Sequence, residues 1–173
     1  STNLNLQIIV VDDYSTDGTR KILLDKYGDL INELILHEKN LGKGAAIISA
    51  QPKVNGDYVI IQDADLEYNP NDYHIMLETI IKNNFSVLYG SRVLNKKKFQ
   101  NLENFSHAYR IWGNSFLTNF SNLINNQKLT DAHTCYKLFK SELFKKIDLK
   151  EKRFSFCPEI TTKVAKLGEK IHE

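Results

Sequence analysis

A single α/β domain, with a mostly parallel sheet and helices on both faces, is predicted by three features of the 173-residue sequence. Short apolar runs fit for buried strands recur at 7–11, 33–37, 58–62 and 85–89. Segments with helical periodicity fall between them, as in repeated strand–helix units. Carboxylates and glycines cluster where these strands end, the edge at which open α/β sheets hold ligands.

Bulk composition narrows the function classes. Apolar content of 42% and charged content of 25% are those of an ordinary soluble globule. With 23 basic against 21 acidic residues, no global field marks a nucleic-acid binder. No apolar run reaches the roughly 18 residues of a membrane span, and no signal peptide is recognisable. Cys135 and Cys157 lack metal or redox spacing and read as reduced, packed thiols of a cytosolic protein.

The run at 7–11 suits a strand buried on both faces. A turn of Asp12, Asp13, Ser15, Thr16 and Asp17 follows. Ser15, Thr16 or Asp17 is placed to cap a helix to about Tyr27, with Gly28 as its stop. Carboxylates on such a turn repel a diphosphate and suit hydroxyl or base N–H groups, so the turn is assigned to the nucleoside end of a nucleotide. After the strand at 33–37, Asn40-Leu41-Gly42-Lys43-Gly44 leads into a helix ended by Pro52. Its glycines let backbone come close to something, and Lys43 supplies a mobile cation. Neither a Walker loop nor a dinucleotide fingerprint is present.

The stretch 56–70 organises the chain. Its strand breaks into Asp63, Asp65 and Glu67 at alternate positions and stops at Asn69-Pro70, a helix start. If the backbone stays extended, these three carboxylates converge on one ion. Oxygen ligands of this kind suit Mg²⁺ or Mn²⁺, which bridges to substrate phosphates. A bare Asp-x-Asp reads as a solvated loop; here the buried strand before it and the acidic turn upstream favour a metal–diphosphate site.

Helical spacing then runs from 70 to 83, with Tyr73, Met76, Leu77, Ile80 and Ile81 on one face. Arg92 ends the next strand, either gripping phosphate or lying exposed on the surface. Lys96-Lys97-Lys98 opens a polar segment read as a loop. The longest helix, 105–125, carries Phe105, Tyr109, Trp112, Phe116, Phe120 and Leu123 at steps of three and four. This stripe is expected in the core, with an apolar-acceptor or membrane surface as the alternative. Arg110 lies off the stripe, toward the cleft. Thr130 to Lys140 is a second dense constellation holding Asp131, His133 and Lys137, with Ser141 as a helix cap. A last helix runs to Gly168, and a further strand begins near 170.

Taken together, five marks resemble family 2 glycosyltransferases of the GT-A fold, in the branch of dolichyl-phosphate mannosyltransferase and polyprenyl-phosphate glycosyltransferases. They are Val10-Val11-Asp12-Asp13-Tyr14-Ser15-Thr16-Asp17-Gly18-Thr19, Asn40-Leu41-Gly42-Lys43-Gly44, Asp63-Ala64-Asp65, Gly90-Ser91-Arg92, and Thr130-Asp131 with Thr134-Cys135-Tyr136-Lys137. The resemblance implies inverting transfer of a sugar from a nucleotide donor (a UDP- or GDP-sugar) to a lipid phosphate at the cytoplasmic membrane face. It implies that Asp13, with Asp12, reads the nucleoside, and that Asp63 and Asp65, with Ala64 between them, hold metal and diphosphate. Asp131 is then the candidate base should the acceptor be a hydroxyl. Lys43, Arg92, Arg110 and Lys137 are the candidates for phosphate charge, Lys137 on the acceptor side. Three departures stand out: Glu67 where the mannosyltransferases carry Gln or Ser, His133 and Cys157 where acids are frequent, and Lys137 where mannosyltransferases place arginine.

The resembled family opens with a strand carrying a Pro-x-Tyr-Asn-Glu-like nucleotide contact, and the first strand here matches the second of that pattern. The chain is therefore expected to be a fragment truncated at both ends, with an interior gap in its sheet that favours self-association. Two other classes fit paired acids on a strand end: nucleotidyl transfer, and a non-catalytic nucleotide-binding module.

Overall fold

The computed structural model describes residues 4–65, 68–94 and 105–173, with backbone alone over 105–112. Strand β1 (Ile9–Asp12) pairs in parallel with β2 (Glu33–Leu36), Ile9 opposite Glu33. Helix α1 (Thr19–Tyr27) joins them, and α2 (Lys43–Ala50) follows β2 and packs against β1. The expected cap of α1 is corrected. Its N-cap residue is Gly18 at φ +90°, a left-handed position that disfavours a side chain. Asp17 instead accepts from the Thr19 amide at 3.1 Å and its hydroxyl at 2.7 Å.

The second sheet has the order β3-β5-β4-β6, built from β3 (Tyr58–Ile61), β4 (Val87–Tyr89), β5 (Lys137–Lys140) and β6 (Ile171–His172). Strands β3, β4 and β6 share a direction and β5 runs against them. Sequence reading finds no strand at 137–140, because lysines at both ends conceal Leu138 and Phe139. Pairing on both sides makes it one. Among the described residues no ladder joins β1 to β3, so each keeps an edge without a strand partner.

Alternation along the strands sorts the core into two layers. Val87, Tyr89 and Phe139 pack in the layer holding α5 (Ser141–Lys146) and α6 (Phe156–Lys166). Leu88 and Leu138 pack with Met76 and Ile80 of α3 (Asp72–Lys82). Burying side chains of this size contributes roughly 1.5–3 kcal/mol each.

Helix α4 (Phe105–Asn125) departs from expectation. Phe116, Phe120 and Leu123 are exposed, Leu123 by 82%, and are not core residues. The side chains of Phe105, Tyr109 and Trp112 lie outside the described residues. Among the described side chains of α4, the inward contacts are polar. At four-residue spacing, Asn114 bonds the Asp131 carboxylate, Thr118 accepts from the Ala132 amide, and Asn122 bonds both backbone groups of Leu129. Over 114–122 a polar stripe clamps the loop at 129–132, where the apolar positions Phe116 and Phe120 face outward.

The glycines before α2 meet a definite neighbour. A Cβ on Gly44 would stand 1.9 Å from the Glu151 carbonyl oxygen, and one on Gly42 would stand 2.6 Å from that of Lys152. The Ala45 amide donates to the latter at 2.9 Å. Close backbone packing thus sets the start of α2 beside the segment that leads into α6, and Lys43 at the head of a cavity.

Candidate active site

The acidic stretch does not stay extended. Strand β3 ends at Ile61, and the backbone turns at Ala64 and Asp65. Asp63 and Asp65 nevertheless line one cavity of about 560 Å³, with Ala64 between them and Lys43 beside them. Lys43 Nζ donates to Asp63 Oδ2 at 2.5 Å. Burial pulls the Lys43 ammonium down, but Asp63 and the Cys135 sulfur more than offset this, so its pKa is raised and it stays charged. His133, Phe154 and the two cysteines complete the wall. Burial, then the nearby Lys137 and Arg92 charges, hold His133 below its ordinary value, so the ring is neutral at pH 7. Glu67, the third expected metal ligand, and the Lys96-Lys97-Lys98 loop lie outside the described residues, as does the side chain of Arg110.

Two carboxylates on one wall suit a hard divalent cation that takes its remaining ligands from water and a diphosphate. Among the described residues no group of three or more His, Cys, Asp or Glu side chains could hold a metal unaided. Asp63 and Asp65 therefore fit an ion that binds together with its nucleotide.

The upstream acidic turn is committed to the protein. Asp12 is buried, and its Oδ2 accepts both Nε and Nη2 of Arg20, at 2.8 and 2.6 Å. Asp13 accepts from the amides of Leu41 and Gly42 at 2.8 and 2.7 Å and bonds His37 Nδ1 at 2.7 Å. His37 Nε2 in turn meets Ser49 Oγ at 2.9 Å. These bonds tie the β1–α1 turn to the loop that carries Lys43.

Arg92 and Asp131 come together. Nε and Nη2 of Arg92 donate to the two carboxylate oxygens at 2.7 and 3.0 Å, and Asn114 adds a bond at 3.1 Å. Asp131 is fully buried while the Arg92 side chain is about a third exposed. Burial raises the Asp131 pKa, but the Arg92 fork, its charge and Asn114 outweigh this and hold it below the ordinary carboxylate value. Such a carboxylate is a poor base and a firm orienter of Arg92. Glu173 holds the same loop, accepting from the Thr130 and Asp131 amides at 2.7 and 2.9 Å. No periodic signal flags Glu173 or Asn114, because tertiary packing alone brings them to this loop.

Lys137 is corrected most. The expected phosphate-facing cation is wholly buried, with Nζ 3.5 Å from the Tyr89 ring centroid and donating to the Ala132 carbonyl at 3.1 Å. Double pairing of β5 turns this side chain into the core. Burial pushes its pKa down to about 8 from 10.5. Between these values the unfolded chain binds the extra proton, so this group's contribution to stability rises with pH over that window. Below it, burying the charge costs on the order of 3 kcal/mol. Lys137→Met is expected to keep or raise the melting temperature at pH 7 and to flatten its rise between about pH 8 and 10. A much lower melting temperature at pH 7 with the slope unchanged would contradict this.

A family model described as glycosyl transferase family 2 matches residues 1–148. The chain is 29% identical over 170 residues to a UDP-N-acetylglucosamine–dolichyl-phosphate N-acetylglucosaminyltransferase of Methanococcus voltae, covering 88% of this chain and 66% of that protein. It is 30% identical over 175 residues to a dolichyl-phosphate beta-glucosyltransferase of Trichomonas vaginalis, covering 96% and 52%. The chain thus spans about half to two thirds of the length of these relatives. Among solved structures, glucosyl-3-phosphoglycerate synthase from Mycobacterium tuberculosis, in complex with Mn²⁺ and UDP-glucose, has a TM-score of 0.62 at 14% identity, covering 95% of this chain and 57% of that one. The mannosyltransferase PcManGT from Pyrobaculum calidifontis, in complex with GDP-Man and Mn²⁺, has a TM-score of 0.60 at 19% identity, covering 96% and 45%. These likenesses establish the GT-A fold that the motifs led us to expect.

Proposed function

The chain belongs to glycosyl transferase family 2, and from that premise we propose that it transfers a glycosyl group, with inversion, from a UDP- or GDP-sugar to a polyprenyl phosphate. The carrying observation is the convergence of Lys43, Asp63 and Asp65 on one cavity at the end of β3. Asp63 and Asp65 would hold Mn²⁺ or Mg²⁺, which when bound offsets charge on the departing diphosphate. Lys43 brings a second cation to that diphosphate, and Asp63 orients it. Asp13 shapes the nucleoside end by fixing the amides of Leu41 and Gly42, and Asp12 supports the same turn through Arg20. Glu67, from its alternate spacing after Asp63 and Asp65, and Arg110, from its place off the stripe of α4, are assigned to the proposed donor site by sequence position alone.

The acceptor side rests on Arg92, whose guanidinium Asp131 holds in one orientation. A phosphate monoester has its second pKa near ~6 and is already an anion at neutral pH, so its attack on the sugar carbon needs no base. The low pKa of Asp131 supports that acceptor over a hydroxyl. Curated relatives named as dolichyl-phosphate transferases support it too. Among the described residues no helix is long and apolar enough to cross a membrane. The exposed apolar side chains of α4 support peripheral docking at the cytoplasmic membrane face, and the unpartnered edges of β1 and β3 support self-association or an added strand.

Titration calorimetry with UDP and with GDP tests the donor site. One nucleotide is expected to bind with Mn²⁺ present and at least about tenfold more weakly in EDTA, a difference of 1.4 kcal/mol. Equal affinity with and without the ion would overturn the metal assignment.

A further inference from the structure

The most exposed large apolar side chain among the described residues, Phe154 at 86%, stands on the wall of the cavity that Asp63, Asp65 and Lys43 share. The main chain beneath it is firmly held. Phe154 lies just before α6, and its carbonyl accepts the Cys157 amide at 3.4 Å, as the Arg153 carbonyl accepts that of Phe156 at 3.3 Å. Upstream, the Glu159 carboxylate accepts the amides of Lys150 and Glu151 at 2.8 and 3.0 Å, and the Lys152 carbonyl accepts that of Ala45. Phe156, two residues on, is wholly buried and anchors the turn. A fixed backbone that presents a bare aromatic ring to a cavity is the pattern of a binding platform, not of a loose loop. His133 lines the same cavity. It is half-buried, and its ring nitrogens have no hydrogen-bond partner among the described residues. As a neutral imidazole it offers one N–H donor and one acceptor.

We propose that Phe154 and His133 form the subsite for the sugar of the donor, Phe154 as the platform for its C–H face and His133 as the hydrogen-bond partner of a ring hydroxyl; this rests on the donor site proposed above. The sugar is bonded to the outer phosphate of the diphosphate, so it lies in this cavity, against wall that carries neither carboxylate nor ammonium. A pyranose suits such a wall. Its ring C–H groups form apolar patches that pack on the electron-rich face of an arene, and its hydroxyls need donors and acceptors. The acceptor anchor Arg92 is not among the described residues that line the cavity, which sets the ring apart from the lipid phosphate. The two residues thus decide what the sugar adds to nucleotide affinity, while the ion and Lys43 hold the diphosphate.

The test is calorimetry of the full chain with Mn²⁺, comparing UDP with UDP-glucose and UDP-N-acetylglucosamine, and GDP with GDP-mannose, on the parent, Phe154→Ala and His133→Ala. For the nucleotide-sugar that the parent binds, each variant is expected to weaken affinity about fivefold while changing that of the bare nucleotide by less than about twofold. Phe154→Trp keeps an arene and is expected to retain the parent's affinity. Because Phe154 is exposed, its Ala variant is expected to match the parent in melting temperature and in KM for a polyprenyl phosphate. Nucleotide-sugar affinity that survives either Ala substitution, or falls no more than that of the bare nucleotide, would overturn that residue's role. A raised KM for polyprenyl phosphate with donor affinity intact would put the Phe154 ring on the lipid and overturn the platform as well. If the parent binds neither nucleotide, the donor site itself fails and the sugar subsite with it.

Discussion

Asp131→Ala is expected to destabilise the protein by about 3 kcal/mol, the lower end of what breaking a buried ion pair costs, because Arg92 keeps some contact with water. The fully buried carboxylate accepts from Nε, Nη2 and the backbone amide of Arg92 and from Asn114. Removing it strands those donors and loosens the loop that Glu173 holds. Asp131→Asn keeps the shape and one acceptor oxygen, so a smaller loss of about 1–2 kcal/mol is expected. Because the folded pKa lies below 3.8, the stabilisation is present above that value and fades as pH falls through the folded pKa. The Asn variant should therefore lose less stability than the parent on acidification. In transfer, Asp131→Asn is expected to raise the acceptor KM through a looser Arg92 and to spare most of kcat. Loss of a true base would cost ~10²–10⁴-fold in rate. Urea titrations and a pH–rate profile check both statements; an Ala variant as stable as the parent would contradict the first.

For Asp65→Asn, transfer is expected to fall by about a hundredfold or more, since several kcal/mol of charge stabilisation at the diphosphate depends on the ion. Asp63→Asn should lose most activity by a second route as well. It removes the acceptor that holds Lys43 at 2.5 Å, so both cations of the donor site are disturbed. EDTA should abolish transfer in the parent, and added Mn²⁺ or Mg²⁺ should restore it. Undiminished transfer by Asp65→Asn in the presence of chelator would contradict the metal assignment.

Strands β1 to β4 are legible because each is an apolar run bounded by turn residues; Asp63 and Asp65, which follow β3, and Lys43, which opens α2, line one cavity. What escapes the sequence is decided by tertiary packing. Lys137 looks like a cation for phosphate until β5 is paired on both sides and its amine is turned onto Tyr89. The aromatic stripe of α4 has the right spacing for a core, but over the described residues 113–125 the helix faces inward with Asn114, Thr118 and Asn122, which satisfy the loop at 129–132 with hydrogen bonds. Asp12 and Asp13 read as nucleoside contacts, and packing gives both carboxylates a further task that the sequence does not show, joining neighbouring segments through Arg20 and through the amides of Leu41 and Gly42. Residue type and spacing locate a site well, and they do not tell which member of a charged cluster is consumed holding the others.

The central claim is best tested by incubating the protein with radiolabelled UDP- and GDP-sugars, Mn²⁺ and either a polyprenyl phosphate or the matching polyprenol, and by identifying every product. The expected result is a glycosyl phospholipid of inverted anomeric configuration, equimolar release of the nucleoside diphosphate, and no transfer to the polyprenol. Release of pyrophosphate would instead indicate attack at phosphorus and nucleotidyl transfer. Nucleotide binding without turnover would indicate a non-catalytic module, and transfer to the polyprenol alone would contradict the lipid-phosphate acceptor.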